Sequence, residues 1–208
     1  FNKTELTAND PQLSSEYQFN DHQTPETFEK WCRNINDWHD SLIKDHGKFS
    51  YKLMTTPAGE DLLFRGTPEV TVTVASSTDH GILSAQLVDF GTAKRLTSSP
   101  VLMNHNGLQL GFHWASDDIR EFRLQAKTSD YKVIADGHIN LQNRHSASQV
   151  DDLAANQFVK VHFELQPIFH HLLKGHRLGL IIYSTDFGAT LRGNEEITYT
   201  VKTADSSL

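Results

Sequence analysis

Glu69-Val70-Thr71-Val72-Thr73-Val74-Ala75 is the stretch on which the reading of this chain turns. Its valines recur every second residue, so Val70, Val72 and Val74 share one face of a β-strand while Thr71 and Thr73 share the other. The same period returns downstream. Val159, Val161, Phe163 and Leu165 alternate with Lys160, His162 and Glu164. Ile197, Tyr199 and Val201 alternate with Thr198, Thr200 and Lys202, and Phe122, Leu124 and Ala126 with Arg123 and Gln125. Each pattern predicts a strand with one face in a core and the other in solvent or against a neighbour. Less regular strands are expected at residues 50–54, 82–89, 108–114, 131–140 and 178–184. The last, Leu-Gly-Leu-Ile-Ile-Tyr-Ser, is almost continuously apolar and should lie in the middle of a sheet.

Gly, Asp, Ser and Asn cluster between these runs, at 76–81, 98–107 and 186–195. Eight or nine strands with almost no helix-length segment between them describe a mainly β protein, a β-sandwich, and exclude a doubly wound parallel sheet. A short helix is expected at residues 148–155. Ahead of the strands, residues 1–23 are polar and aperiodic and read as a lead-in loop. Thr24 then suits an N-cap, Pro25 the first helical position, and Glu26 the positive end of the helix dipole. Phe28, Trp31, Cys32, Ile35, Trp38, Leu42 and Ile43 fall on one helical face, and Gly47 supplies a left-handed stop. The pattern predicts one amphipathic helix over residues 25–46 whose face, Phe28, Trp31, Ile35, Trp38 and Leu42 above all, packs on a neighbouring domain or on the sandwich. The division expected is therefore a lead-in and linker helix at 1–47 and a sandwich at 48–208.

The 208 residues carry 19 Lys and Arg against 26 Asp and Glu, a formal charge of −7. That balance argues against nucleic-acid binding and against a polybasic membrane anchor. No run approaches the roughly 18 apolar residues of a membrane span. A single cysteine, Cys32, excludes an internal disulfide framework, and the reducing cytoplasm is the natural setting. The chain opens at Phe1 with no signal peptide, as a piece of a longer protein would.

A search for chemistry comes back mostly negative. None of the twelve glycines is followed by Ser two positions later, so the G-x-S-x-G elbow of α/β-hydrolases is absent. Cys32 lies on the apolar helix face, where a buried structural thiol is the simpler reading. No phosphate-binding glycine loop occurs. Twelve histidines invite a metal, but there is no H-E-x-x-H and no H-x-H. The densest group is His162, His170, His171 and His176. It places His162 on the polar face of its strand and His170 and His171 in the connection that follows, reading as solvated or hydrogen-bonded surface groups rather than metal ligands. Carboxylate neighbours such as Asp151 and Asp152 point opposite ways on a strand and read as turn or capping groups. Trp114 beside Asp117 and Asp118 is the one arrangement that suits a ligand, since a ring with flanking carboxylates can stack on and hydrogen-bond a sugar. A carbohydrate-binding sandwich, with or without a structural calcium, is therefore the alternative to a module that braces a neighbour.

Several ordered motifs carry a resemblance. They are Leu63-Phe64-Arg65-Gly66-Thr67-Pro68-Glu69-Val70, Ile82-Leu83-Ser84-Ala85-Gln86-Leu87-Val88-Asp89-Phe90-Gly91, Gly137-His138-Ile139-Asn140-Leu141-Gln142-Asn143-Arg144, Phe163-Glu164-Leu165-Gln166-Pro167, and Leu173-Lys174-Gly175-His176-Arg177-Leu178. Over residues 62–203 the chain resembles the C-terminal domain of the X-prolyl dipeptidyl aminopeptidases of lactic acid bacteria, with cocaine esterase and α-amino-acid ester hydrolases as looser relatives. The resemblance implies a jelly-roll sandwich similar to galactose-binding modules. It implies a cytoplasmic serine peptidase as parent, homodimeric, releasing N-terminal X-Pro dipeptides without a cofactor. The partner so implied is the catalytic α/β-hydrolase domain of the same chain. That domain would hold the Ser, Asp and His of the triad, and no position here matches their motifs, so this chain alone is expected to be inactive.

Overall fold

The computed structural model describes residues 16–21, 41–44, 47–97, 100–105, 108–109, 119–186, 188–191 and 195–207. These divide into two compact units, one built from residues 1–89 and 133–208, the other from 90–132.

The first unit is a two-sheet sandwich. One sheet has the order β1 (Glu16–Asn20), β14 (Thr198–Ser207), β4 (Glu69–Ser76), β11 (Val159–Glu164). The other has the order β10 (Leu124–Asn140), β5 (Ile82–Leu96), β13 (Arg177–Tyr183), β2 (Ser50–Met54). The pairs β1–β14, β14–β4, β4–β11 and β13–β2 are antiparallel. Ranking these eight strands by chain order, the first sheet reads first, eighth, third, sixth. The second reads fifth, fourth, seventh, second, the nesting of a jelly roll.

Alternation explains the core. Val70, Val72 and Val74 of β4 are fully buried and sit in register with Phe163, Val161 and Val159 of β11. From the facing sheet, Leu83, Ala85 and Leu87 of β5 and Leu180 and Ile182 of β13 enter the same cluster, with Tyr51 and Leu53 of β2. Every residue from Leu178 to Tyr183 is buried, so both faces of β13 are covered, as its continuous apolar run anticipates. Each fully buried Val or Leu is worth roughly 1.5–3 kcal/mol of transfer free energy, so the valine triplet alone is a substantial fraction of a typical domain's net stability.

A two-stranded ribbon joins this unit, β3 (Leu62–Gly66) antiparallel to β12 (Ile168–Leu172). Leu172 is buried, and Leu62, Phe64 and Ile168 pack against the core, while Leu63 and Phe169 on the opposite face are exposed. The second unit holds the far ends of β5 and β10 and the short pairs β6 (Val101–Leu102) with β9 (Arg120–Glu121) and β7 (Asn104–His105) with β8 (Leu108–Gln109).

Several expectations need correction. Part of the lead-in is a strand: Tyr17 and Phe19 alternate with Glu16, Gln18 and Asn20, and Phe19 is buried with its ring stacked on Tyr199 at 5.4 Å. Residues 148–155 form turns and irregular chain rather than a helix; the nearby helical turn is a 3₁₀ turn, Leu141–Asn143, capped by the Asn140 side chain. His170 and His171 lie on β12, not in a connection. The alternation around Phe122 and Leu124 does not face a core, because both side chains are more than half exposed. Of the expected helix, residues 41–44 are helical with Leu42 and Ile43 buried, and Gly47 has the left-handed φ of +99° expected of the stop. Phe28, Trp31, Ile35 and Trp38 lie outside the described residues. No helix among the described residues is long and apolar enough to cross a membrane.

Candidate functional site

Among the described residues, one group of polar side chains in the interior is built on Asp89, near the midpoint of β5 and wholly buried. Each carboxylate oxygen takes one imidazole. His170 Nε2 donates to Oδ2 at 2.9 Å and His176 Nδ1 donates to Oδ1 at 2.7 Å. These bonds require the proton of His170 on Nε2 and that of His176 on Nδ1, since a carboxylate can only accept. A buried carboxylate is costly unless it is paired and hydrogen-bonded, and the two imidazoles meet that need.

Three elements deliver the side chains. β12 alternates, sending His170 inward and its neighbour His171 outward, where it stands 3.5 Å from Asp61. His176 follows a tight turn in which Gly175 adopts φ +83°, a conformation glycine takes without steric cost. That turn is fastened to the loop before β3: Ala58 N donates to His176 O, Gly175 N to Ala58 O, and Lys174 N to the Asp61 carboxylate. The cluster therefore ties the ribbon and the entry to β13 onto β5. Among the described residues, no group of three or more His, Cys, Asp or Glu is arranged to hold a metal ion.

A cavity of about 210 Å³ opens elsewhere in the sandwich unit, where His80, Asn140, Gln142, Ser184, Glu195 and Tyr199 contribute to its wall. Its buried polar atoms are engaged with the protein itself. Ser184 Oγ donates to Ile82 O at 2.6 Å and lies 2.9 Å from the Tyr199 hydroxyl, which in turn accepts from Ile82 N. Beside it, Thr185 donates to Asp21, and Tyr183 donates to Asp186. Burial, followed by the Asp186 carboxylate, holds the Tyr183 phenol well above its ordinary range, so it stays a neutral donor.

Thr71 Oγ1, His162 Nδ1 and Glu69 form the sequence hydroxyl–imidazole–carboxylate, with 3.1 Å between the first two and 3.8 Å from His162 Nε2 to Glu69. All three sit on the exposed face of β4 and β11, where the backbone amides belong to the sheet ladder and none is grouped to hold an oxyanion. This is cross-strand pairing on a flat surface rather than a nucleophile in a pocket.

Of the residues expected to bind a ligand, Trp114, Asp117 and Asp118 lie outside the described residues. Asp151 and Asp152 do serve a turn: Asp151 pairs with Arg144 and His145, and Asp152 accepts from Gln142. His162 is the solvated strand histidine anticipated for it, whereas His170 and His176 are nearly buried. No sequence signal pairs them with Asp89, because 81 and 87 residues separate the partners.

The two nested four-stranded sheets define a jelly-roll module. Solved structures of similar fold carry such a module as part of a longer chain. An α-amino acid ester hydrolase matches 94% of this chain and 32% of its own at TM-score 0.58 and 16% identity. An aminopeptidase from the marine sediment archaeon Thaumarchaeota archaeon matches 81% and 26%, at TM-score 0.51 and 12% identity. The chain belongs to the family described as the X-Pro dipeptidyl-peptidase C-terminal non-catalytic domain, whose model matches residues 2–207. Among relatives, the Xaa-Pro dipeptidyl-peptidase of Ligilactobacillus salivarius is 39% identical over 218 residues, covering 99% of this chain and 27% of that protein. That of Pediococcus pentosaceus is 44% identical over 199 residues, covering 91% and 24%. The chain thus spans about a quarter of the length of the curated relatives it matches.

Proposed function

We propose that this chain acts as the accessory domain of a longer serine-type peptidase that releases N-terminal X-Pro dipeptides, and that alone it has no turnover. The parent is a cytoplasmic homodimer in this reading, and the domain's work is to brace the catalytic domain of the same polypeptide. The observation that carries the reading is the family match across residues 2–207. The experiment is hydrolysis of an X-Pro chromogenic peptide by the full-length parent. Release that a serine-reactive inhibitor abolishes is expected; a parent that does not cleave the substrate, or cleaves it only with an added metal, would contradict the reading.

A further inference from the structure

We infer that the second unit presents a docking face for the upstream part of its own polypeptide, centred on Leu96, Phe122 and Leu124. The inference rests on reading the chain as one domain of a longer peptidase. Thr97 N donates to Arg123 O at 2.8 Å at one end of β5 and β10, and Leu141 N to Gly81 O at 2.9 Å at the other, so the two strands run antiparallel and Leu96 comes beside Leu124. Phe122 lies two residues before Leu124, in the link between β9 and β10, and the pairing of its neighbours Glu121 and Arg123 with each other leaves it on the other side, with Leu124. The opposite face carries Glu121 and Arg123, also two residues apart and paired with each other at 2.5 Å.

This segment is amphipathic, and its apolar side is left open. Leu96, Phe122 and Leu124 are 50%, 56% and 60% exposed. Single exposed apolar residues are ordinary, but three on one face of a strand pair, backed by an ion pair, mark a surface that is covered in use. Farther along the same face Thr92 donates to Asp130, so the apolar patch ends in a polar border.

The size of the patch selects the occupant. Three half-exposed side chains offer on the order of a few hundred Å², short of the roughly 800 Å² per partner of a stable separate complex, a second copy included. A tethered neighbour needs less, because the linkage supplies an effective concentration of about millimolar. The curated relatives extend to about four times the length of this chain, which is where such a neighbour comes from.

The test replaces Phe122 with the photoreactive aromatic p-benzoylphenylalanine in the full-length parent. Irradiation should give a product of unchanged molecular mass whose cross-linked peptide joins position 122 to a segment upstream of this chain, and Leu124→Asp should abolish it. A covalent dimer through position 122, cross-links confined to this domain, or a yield unaffected by Leu124→Asp would overturn the inference. X-Pro hydrolysis by the same parent separates the two readings. An inactive parent with the upstream cross-link leaves the docking face standing and removes the peptidase assignment; an active parent without it does the reverse.

Discussion

Asp89 and His176, 87 residues apart in sequence, are joined in the interior by a 2.7 Å hydrogen bond from the imidazole Nδ1 to the carboxylate Oδ1. With His170 on the other oxygen, the carboxylate spans β5, β12 and the approach to β13. Asp89→Ala removes the shared acceptor and leaves two nearly buried imidazole N–H groups without it. Urea unfolding should show a loss of about 1.5–3 kcal/mol, the usual worth of hydrogen bonds to a charged group. A loss below about 1 kcal/mol would mean that the imidazoles do not hold the carboxylate in place.

This cluster also marks the limit of what a single sequence discloses. β4 and β11 were legible because each has one face in oil and one in water, and Val70 to Val74 and Val159 to Leu165 carry that contrast residue by residue. β3 and β12 were not legible. Their outward faces carry Leu63 and Phe169 and the inward face of β12 carries His170, so polarity runs against the usual alternation. The partnership of Asp89 with histidines 81 and 87 residues away leaves no local trace. The strand from Leu124 onward was legible as a strand, but its alternation, like Phe122 just before it, suits a surface rather than a core.

Two buried hydroxyls bear on stability in the opposite sense. The Tyr51 OH and Ser84 Oγ are buried without a hydrogen-bond partner among the described residues. Tyr51→Phe and Ser84→Ala each delete an unsatisfied polar group, so thermal unfolding should show no loss and up to about 1 kcal/mol of gain. A drop in midpoint for either variant would reveal a partner for that hydroxyl.

The same tyrosine gives the protein an alkaline limit. Burial, and then the neighbouring Tyr17 phenol, push Tyr51 up to about 12 from its ordinary 10. Tyr183 moves the same way. Because the folded state favours the neutral phenol, its contribution is complete below pH 10, where neither state ionises. It is lost as pH rises from 10 through 12, where the unfolded chain releases protons that the folded chain keeps. Unfolding free energy measured from pH 9 to pH 12 should fall, and Tyr51→Phe should make the fall shallower. Equal slopes in the two proteins would contradict the assignment.

Close approach of strands predicts a sharp contrast between two glycines. A Cβ added at Gly137 on β10 would stand 2.6 Å from the Glu164 carbonyl oxygen and 2.9 Å from a Leu165 methyl, whereas one at Gly59 would meet nothing within 4 Å. Gly137→Ala should lower stability by about 1–3 kcal/mol through overpacking. Gly59→Ala, without that clash, should change stability by no more than about 0.5 kcal/mol. Similar denaturation midpoints for the two variants would show that the strand contact at Gly137 can relax.

The central claim is that this domain carries no bond-breaking centre of its own. Incubating the purified 208-residue chain with an X-Pro chromogenic peptide, beside an equal molar amount of the full-length parent, tests it most directly. The account predicts release by the parent and none by the domain above buffer. Release by the domain that persists in the presence of a serine-reactive inhibitor would contradict it.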